Sequence, residues 1–315
     1  MNMNLNSSSH VRGSYWRWVF NAAPVFGVIV GLAMLSAAPQ PPTTSSQPAA
    51  ITRDDSAAEK LGWRLGTQSW TFRDRTLFEV IDIAHVLGLK YMECYPGQPF
   101  SKGHPDVKFD VDLKPELQKE LKAKFETSGV KMVSMGVVGF KNDEAECRKT
   151  FDFAKAMGLE AICCEPDEDA FDVLEKLCEE YKINLAIHDH PKPSHYWNPE
   201  TVLKVAKGRS QRIGACADTG HWSRSGLVPV ECLKTLEGRI IESHFKDIAN
   251  DKDQPWGTGQ GNARGMLEEL KRQNFHGVIL LEYETGSGKE LEDNAAKCIA
   301  FFDATARELA KEPMN

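Results

Sequence analysis

Ile213-Gly214-Ala215-Cys216-Ala217-Asp218-Thr219-Gly220-His221 is the stretch on which the fold turns. Its first five residues are small or apolar, short enough for a buried strand, and the sixth is a carboxylate. The same pattern recurs in Ile162-Cys163-Cys164-Glu165, in Leu185-Ala186-Ile187-His188-Asp189-His190, in Ile241-Glu242-Ser243-His244 and in Ile279-Leu280-Leu281-Glu282. All five runs close on a side chain able to ligate a metal. In a barrel of βα units the C-terminal ends of the strands converge on one mouth. Carboxylates and imidazoles arriving there from five strands would form a divalent-metal site.

Working outward, strands are expected at 64–72, 91–95, 131–138, 161–165, 184–188, 213–218, 240–244 and 278–283. Helical spacing fills 76–87, 115–128, 143–157, 170–181, 199–206, 229–236, 264–273 and 289–309 between and after them. Pro115 suits the first turn of its helix, and Gly88, Gly129 and Gly158 follow helix ends. Strict alternation implies a parallel sheet. Eight units favour closure into a (β/α)8 TIM barrel over residues 61–310. The long loop 246–262 has the length of an active-site loop. Its Gly257-Thr258-Gly259-Gln260-Gly261 follows a loop, not a strand, and so makes a poor nucleotide fingerprint.

The 315 residues are 41% hydrophobic and carry a formal net charge of −7, which suits one sizeable core and opposes a nucleic-acid partner. Arg12 and Arg17 precede an apolar run, 18–38, of the kind that exports a chain or tethers it to a membrane. Residues 1–38 are therefore expected to be a signal peptide or anchor, with an exported, periplasmic or membrane-tethered location. Residues 39–60 read as a Pro/Ser/Thr-rich disordered linker. The eight cysteines fall inside strands and helices without a C-x-x-C pair, as buried free thiols do. Cys163 and Cys164, adjacent on one strand, should face opposite ways.

Asp218, His244 and Glu282 end three consecutive strands and form the core of the expected metal site. Mixed oxygen and nitrogen donors suit Mn²⁺, Co²⁺, Mg²⁺ or Zn²⁺. Taken with their neighbours in Asp218-Thr219-Gly220-His221, His244-Phe245-Lys246-Asp247 and Leu281-Glu282-Tyr283-Glu284, they resemble the xylose-isomerase-like barrel superfamily over residues 63–305. That superfamily includes sugar isomerases and epimerases, inosose dehydratases and barrel-type abasic-site endonucleases. The resemblance implies that Asp218, His244 and Glu282 match three metal ligands of the ketose epimerases. Their fourth ligand is a Glu on strand five, where this chain carries His188. The family's two-glutamate pair for proton exchange is therefore altered.

Glu165 is either a further metal ligand, a base or a loop residue. His190, on the same side as His188 by strand alternation, is expected to contact substrate or act as an acid, and Asp189 to be structural. His221 and Trp222 are candidates for lining a sugar site, or His221 for supporting Asp218. Lys246 is either a surface residue or an oxyanion stabiliser. Gln68, Trp70 and Glu93 could form the far wall, with Trp70 either a stacking platform or core. The implied reaction is proton abstraction beside a carbonyl of a sugar, keto-sugar or polyol, with Glu282 or Glu165 as base. Its enediolate leads to an epimer or an isomer. Elimination from it would instead make the chain a 3-keto-glycoside lyase or hydrolase, or an inosose-type dehydratase. An abasic-site endonuclease would need additional histidines on strands three and four, which are absent there. A non-catalytic metal- or sugar-binding protein is the rival from outside enzymology.

Overall fold

Alternation along each strand sorts its side chains between two environments. In the computed structural model, which describes residues 50–313, eight parallel strands close a barrel: β1 (Trp63–Gln68), β2 (Tyr91–Cys94), β3 (Lys131–Phe140), β4 (Ala161–Pro166), β5 (Asn184–His188), β6 (Ile213–Asp218), β7 (Ile240–Phe245) and β8 (Gly277–Leu281). Each strand pairs in parallel with its sequence neighbours, and β8 returns to β1, so the barrel has no free edge. On β5, Leu185 and Ile187 join the large core under the helices, while Ala186 points inward beside Cys163 and Cys216. On β8, Ile279 and Leu281 face the helices and Val278 and Leu280 the interior. Cys163 and Cys164 part in the same way, and all eight cysteines are free and buried.

This parity places the chemistry. Two positions beyond the inward Cys163, Ala186, Cys216, Glu242 and Leu280 come Glu165, His188, Asp218, His244 and Glu282, at the C-terminal mouth. Asp218 and His244 are register partners on β6 and β7.

Ten helices lie among the described residues: α1 (Ser56–Lys60), α2 (Leu77–Val86), α3 (Pro115–Ser128), α4 (Glu144–Met157), α5 (Phe171–Tyr181), α6 (Pro199–Ala206), α7 (Thr219–Arg224), α8 (Pro229–Thr235), α9 (Ala263–Arg272) and α10 (Gly288–Leu309). Thr76 caps α2 through a reciprocal box with Glu79, which is why the helix begins there. No helix among the described residues is long and apolar enough to cross a membrane. The expected leader, 1–38, lies outside the described residues.

Three sequence expectations need correction. The first strand ends at Gln68, and 69–72 form a 3₁₀ turn whose start is held by the Gln68 side chain. A short helix, α7, follows β6 directly, where no element was expected before 229. The spacer does not extend to residue 60. Ile51 N–H donates to Val86 O at 3.0 Å, Arg53 pairs with Asp303 at 2.5 Å, and α1 buries Ala58. Contacts distant in sequence order this segment, and its composition alone could not reveal them.

Candidate active site

Four side chains converge at the mouth. His188 Nε2 and His244 Nδ1 lie 3.1 Å apart, Asp218 Oδ2 is 3.5 Å from His188 Nε2, and Glu282 Oε2 is 3.1 Å from His244 Nδ1. One donor atom from each falls within 4.8 Å of the others, and all four residues are buried. Two imidazole nitrogens and two carboxylate oxygens make a donor set fit for a divalent transition metal or Mg²⁺. Glu282 Oε2 is buried without a hydrogen bond of good geometry, its near neighbours being His244 Nδ1 and the Lys246 ammonium.

Beneath His244 the orientation is fixed. Its Nε2 lies 3.1 Å from Glu93 Oε2, and Glu93 in turn accepts from Gln68 Nε2 at 2.8 Å and Ser134 Oγ at 2.9 Å. The proton is thus directed away from the four-residue cluster, leaving Nδ1 toward it. Glu93, expected on the wall of the cavity, is fully buried and supports a histidine instead.

Lys246 is not on the surface. Its side chain is fully buried, with Nζ 2.8 Å from Asp218 Oδ2 and 2.9 Å from Glu282 Oε2. Burial opposes its charge, but Asp218, Glu282 and Glu284 outweigh this and raise its pKa. Burial likewise opposes ionised Glu282, yet Lys246 and His244 hold the carboxylate below its usual range. His188 is desolvated too, but the nearby carboxylates of Asp218 and Glu165 push it up to about 10. Gly220 makes room for Lys246: a Cβ there would come within 2.6 Å of Lys246 Cδ.

On the other edge of the His188 ring stands Glu165. Its Oε1 is 3.8 Å from His188 Nδ1 and 2.6 Å from His190 Nδ1, and Ser194 Oγ also donates to it. Glu165 therefore lies outside the four-residue cluster, which is reached by the opposite ring nitrogen. Burial acts to raise the pKa of Glu165, and His188 and His190 more than reverse that. Asp189 faces away and accepts from Asp218 N–H at 2.8 Å.

A cavity of about 450 Å³ opens above the cluster, lined by His188, His190, His221, His244, Gln68, Glu282 and Glu284 and walled by Trp70, Tyr95, Pro96 and Val137. Trp70 is 38% exposed, lines the cavity and meets Tyr95 edge-on, so it is not a core residue. Trp222 is buried and does not line the cavity, because α7 turns it into the core. Tyr95, Pro96, Val137 and Arg224 carry no signal that marks them as site residues in the sequence, and Glu284 stands out there only as a neighbour of Glu282.

The glycine run also finds its purpose. Gly257, Gly259 and Gly261 each donate a backbone N–H to the Asp247 carboxylate at 2.9 Å. The amides cradle an internal anion next to Lys246, in place of a nucleotide phosphate. At Gly259 a Cβ would lie 2.4 Å from Asp247 Oδ1.

Residues 81–305 match the family model described as xylose isomerase-like TIM barrel. A putative uncharacterized protein from Parabacteroides distasonis is similar at 34% identity, with a TM-score of 0.64 over 76% of this chain and 98% of that one. D-psicose 3-epimerase from Clostridium cellulolyticum shares the fold at 12% identity, with a TM-score of 0.61 over 77% and 99%. So does a probable 3-DHS dehydratase from Bacillus anthracis, at 12% identity and a TM-score of 0.57 over 76% and 98%. No curated protein matches the chain.

Proposed function

This chain belongs to the xylose isomerase-like TIM barrel family, and we propose that it is a divalent-metal-dependent isomerase or epimerase of a sugar, keto-sugar or polyol. The observation that carries this reading is the convergence of His188, Asp218, His244 and Glu282 at the floor of a cavity with a half-exposed imidazole at its side. Those four residues would hold Mn²⁺, Co²⁺, Mg²⁺ or Zn²⁺. The ion would supply positive charge to two adjacent substrate oxygens and so acidify the neighbouring C–H.

The chain's own residues divide the remaining work. Lys246 keeps Asp218 and Glu282 ionised from beneath the cavity. Glu282, on the cavity floor at the end of β8, takes the proton from carbon. Directly across the barrel, β4 brings Glu165 against His190 at 2.6 Å. This pair can return the proton on the opposite side, replacing the strand-five glutamate of the epimerases. Trp70 and Tyr95 offer an apolar wall to the sugar's C–H face.

A second reading draws on the same pair. His190 backed by Glu165 is also a suitable acid for a leaving group, which favours a 3-keto-glycoside lyase or an inosose-type dehydratase. The exported location remains part of the proposal and rests on Arg12, Arg17 and the apolar run 18–38.

Metal-free protein reconstituted with each of the four ions, and mixed in D₂O with ketoses, aldoses, inososes and 3-keto-glycosides, tests the proposal by NMR. Metal-dependent deuterium incorporation is expected, and should vanish in Asp218→Ala and His244→Ala along with metal occupancy. The product distinguishes epimerase from lyase. Stoichiometric metal without exchange on any substrate would favour a binding protein, and unchanged metal content in both variants would refute the assigned site.

A further inference from the structure

Arg224 ends α7 one turn beyond His221, which brings the two side chains to the same helix face. Its Nη1 lies 3.1 Å from His221 Nδ1. A guanidinium has five N–H donors and no acceptor, and it keeps its protons throughout the accessible pH range. A contact of this length is a hydrogen bond only if His221 Nδ1 is bare. The ring proton must then sit on Nε2, which faces Asp218 Oδ2 at 3.5 Å from the cavity lining.

We propose that Arg224 is a positioning residue that locks His221 in the Nε2–H tautomer, making Nε2, between Asp218 and the cavity, a hydrogen-bond donor and closing it to metal. Arg224 is itself held in place. It donates to Asp253 Oδ2 at 3.1 Å and pairs with Glu284 at 2.8 Å, so the β7 loop and the end of β8 both fix its direction. His221 is 7% exposed, leaving its ring little freedom to turn. Among the described residues, His221 joins none of the His/Asp/Glu groups close enough to share an ion, although it touches Asp218.

A donor of this kind recognises the lone pair of a hydroxyl or carbonyl and offers nothing to an ammonium or to a second cation. That role toward substrate rests on the proposed sugar chemistry. The tautomer does not, and it can be read without any substrate.

Long-range ¹⁵N–¹H correlation spectra of the full chain labelled at histidine, recorded metal-free, test the proposal, with His221→Asn used to assign the signals. The wild-type ring should show an unprotonated Nδ1 and a protonated Nε2. Arg224→Met should lose that pattern and lose turnover by about 10–100-fold, the range for outer partners of a site. Arg224→Lys, which keeps a cationic donor, should restore the pattern at least in part. A proton on Nδ1 in the wild type would overturn the proposal, as would an unchanged tautomer in Arg224→Met. If the Met variant does not fold, the wild-type spectrum alone decides between the two tautomers. A bare Nδ1 in a protein without exchange activity would leave the proposal standing and remove only the sugar chemistry.

Discussion

His244 illustrates how one residue takes its role from its neighbours. Its Nδ1 can meet a cation because Nε2 is tied to Glu93, itself held by Gln68 and Ser134. Glu93→Gln should keep the fold and weaken metal binding by about 10–100-fold, measurable by titration against a chelator. Affinity equal to wild type would mean that Glu93 only fills space. His188 makes a prediction of opposite sign to the usual carboxylate case. Its pKa in the metal-free fold is raised to about 10, against roughly 6.5 for an unfolded histidine. Its contribution to stability is therefore complete below about pH 6.5 and lost as pH climbs toward 10. Thermal melts of metal-free wild type and His188→Gln should converge over that window, and a constant gap between them would contradict the assignment. A protonated His188 must also release its proton to bind metal, so affinity should rise with pH. Strand endings made these histidines legible in the sequence. The support beneath them was not, because Glu93 lies on β2 and Ser134 on β3, and only barrel closure brings them under β7.

At the scale of elements, α7 and the β7 loop do the positioning. Asp218 caps α7 by accepting His221 N–H at 2.8 Å, so one side chain serves both the helix start and the candidate metal cluster. The loop is organised around Asp247, whose two oxygens receive three backbone N–H groups. Asp247→Asn replaces one acceptor with a donor facing amides. It should destabilise the protein by about 2 kcal/mol, as losing hydrogen bonds to a charged group does. It should also lower turnover by loosening the loop that follows Lys246, and urea unfolding together with the exchange assay would check both. Undiminished stability would show that the glycine amides find other acceptors. Periodicity revealed the long helices well, but α7 is too short to show a period, and its cap was read only as a ligand.

For the molecule as a whole, closure is the decisive event. The segment before β1 belongs to the folded unit, since Arg53, α1 and Leu61 bind it to α2 and α10. A chain beginning at Gly62 should be less stable than one beginning at residue 50. Burial of Leu61 alone is worth about 1.5–3 kcal/mol, and equal urea midpoints would show the segment to be incidental. The sequence by itself determined the barrel and its mouth. A period of two within strands and about 3.6 between them is a local property, and parity carries each strand's last inward residue to the rim. It also marked Asp218, His244 and Glu282, because their places follow from that parity. Only the tertiary structure decided that Lys246 is buried between two carboxylates, that Glu93 serves His244, that Trp222 leaves the cavity, and that the glycine amides hold Asp247. Each of these depends on distances between residues far apart in the chain, which side-chain periodicity along a single element does not encode.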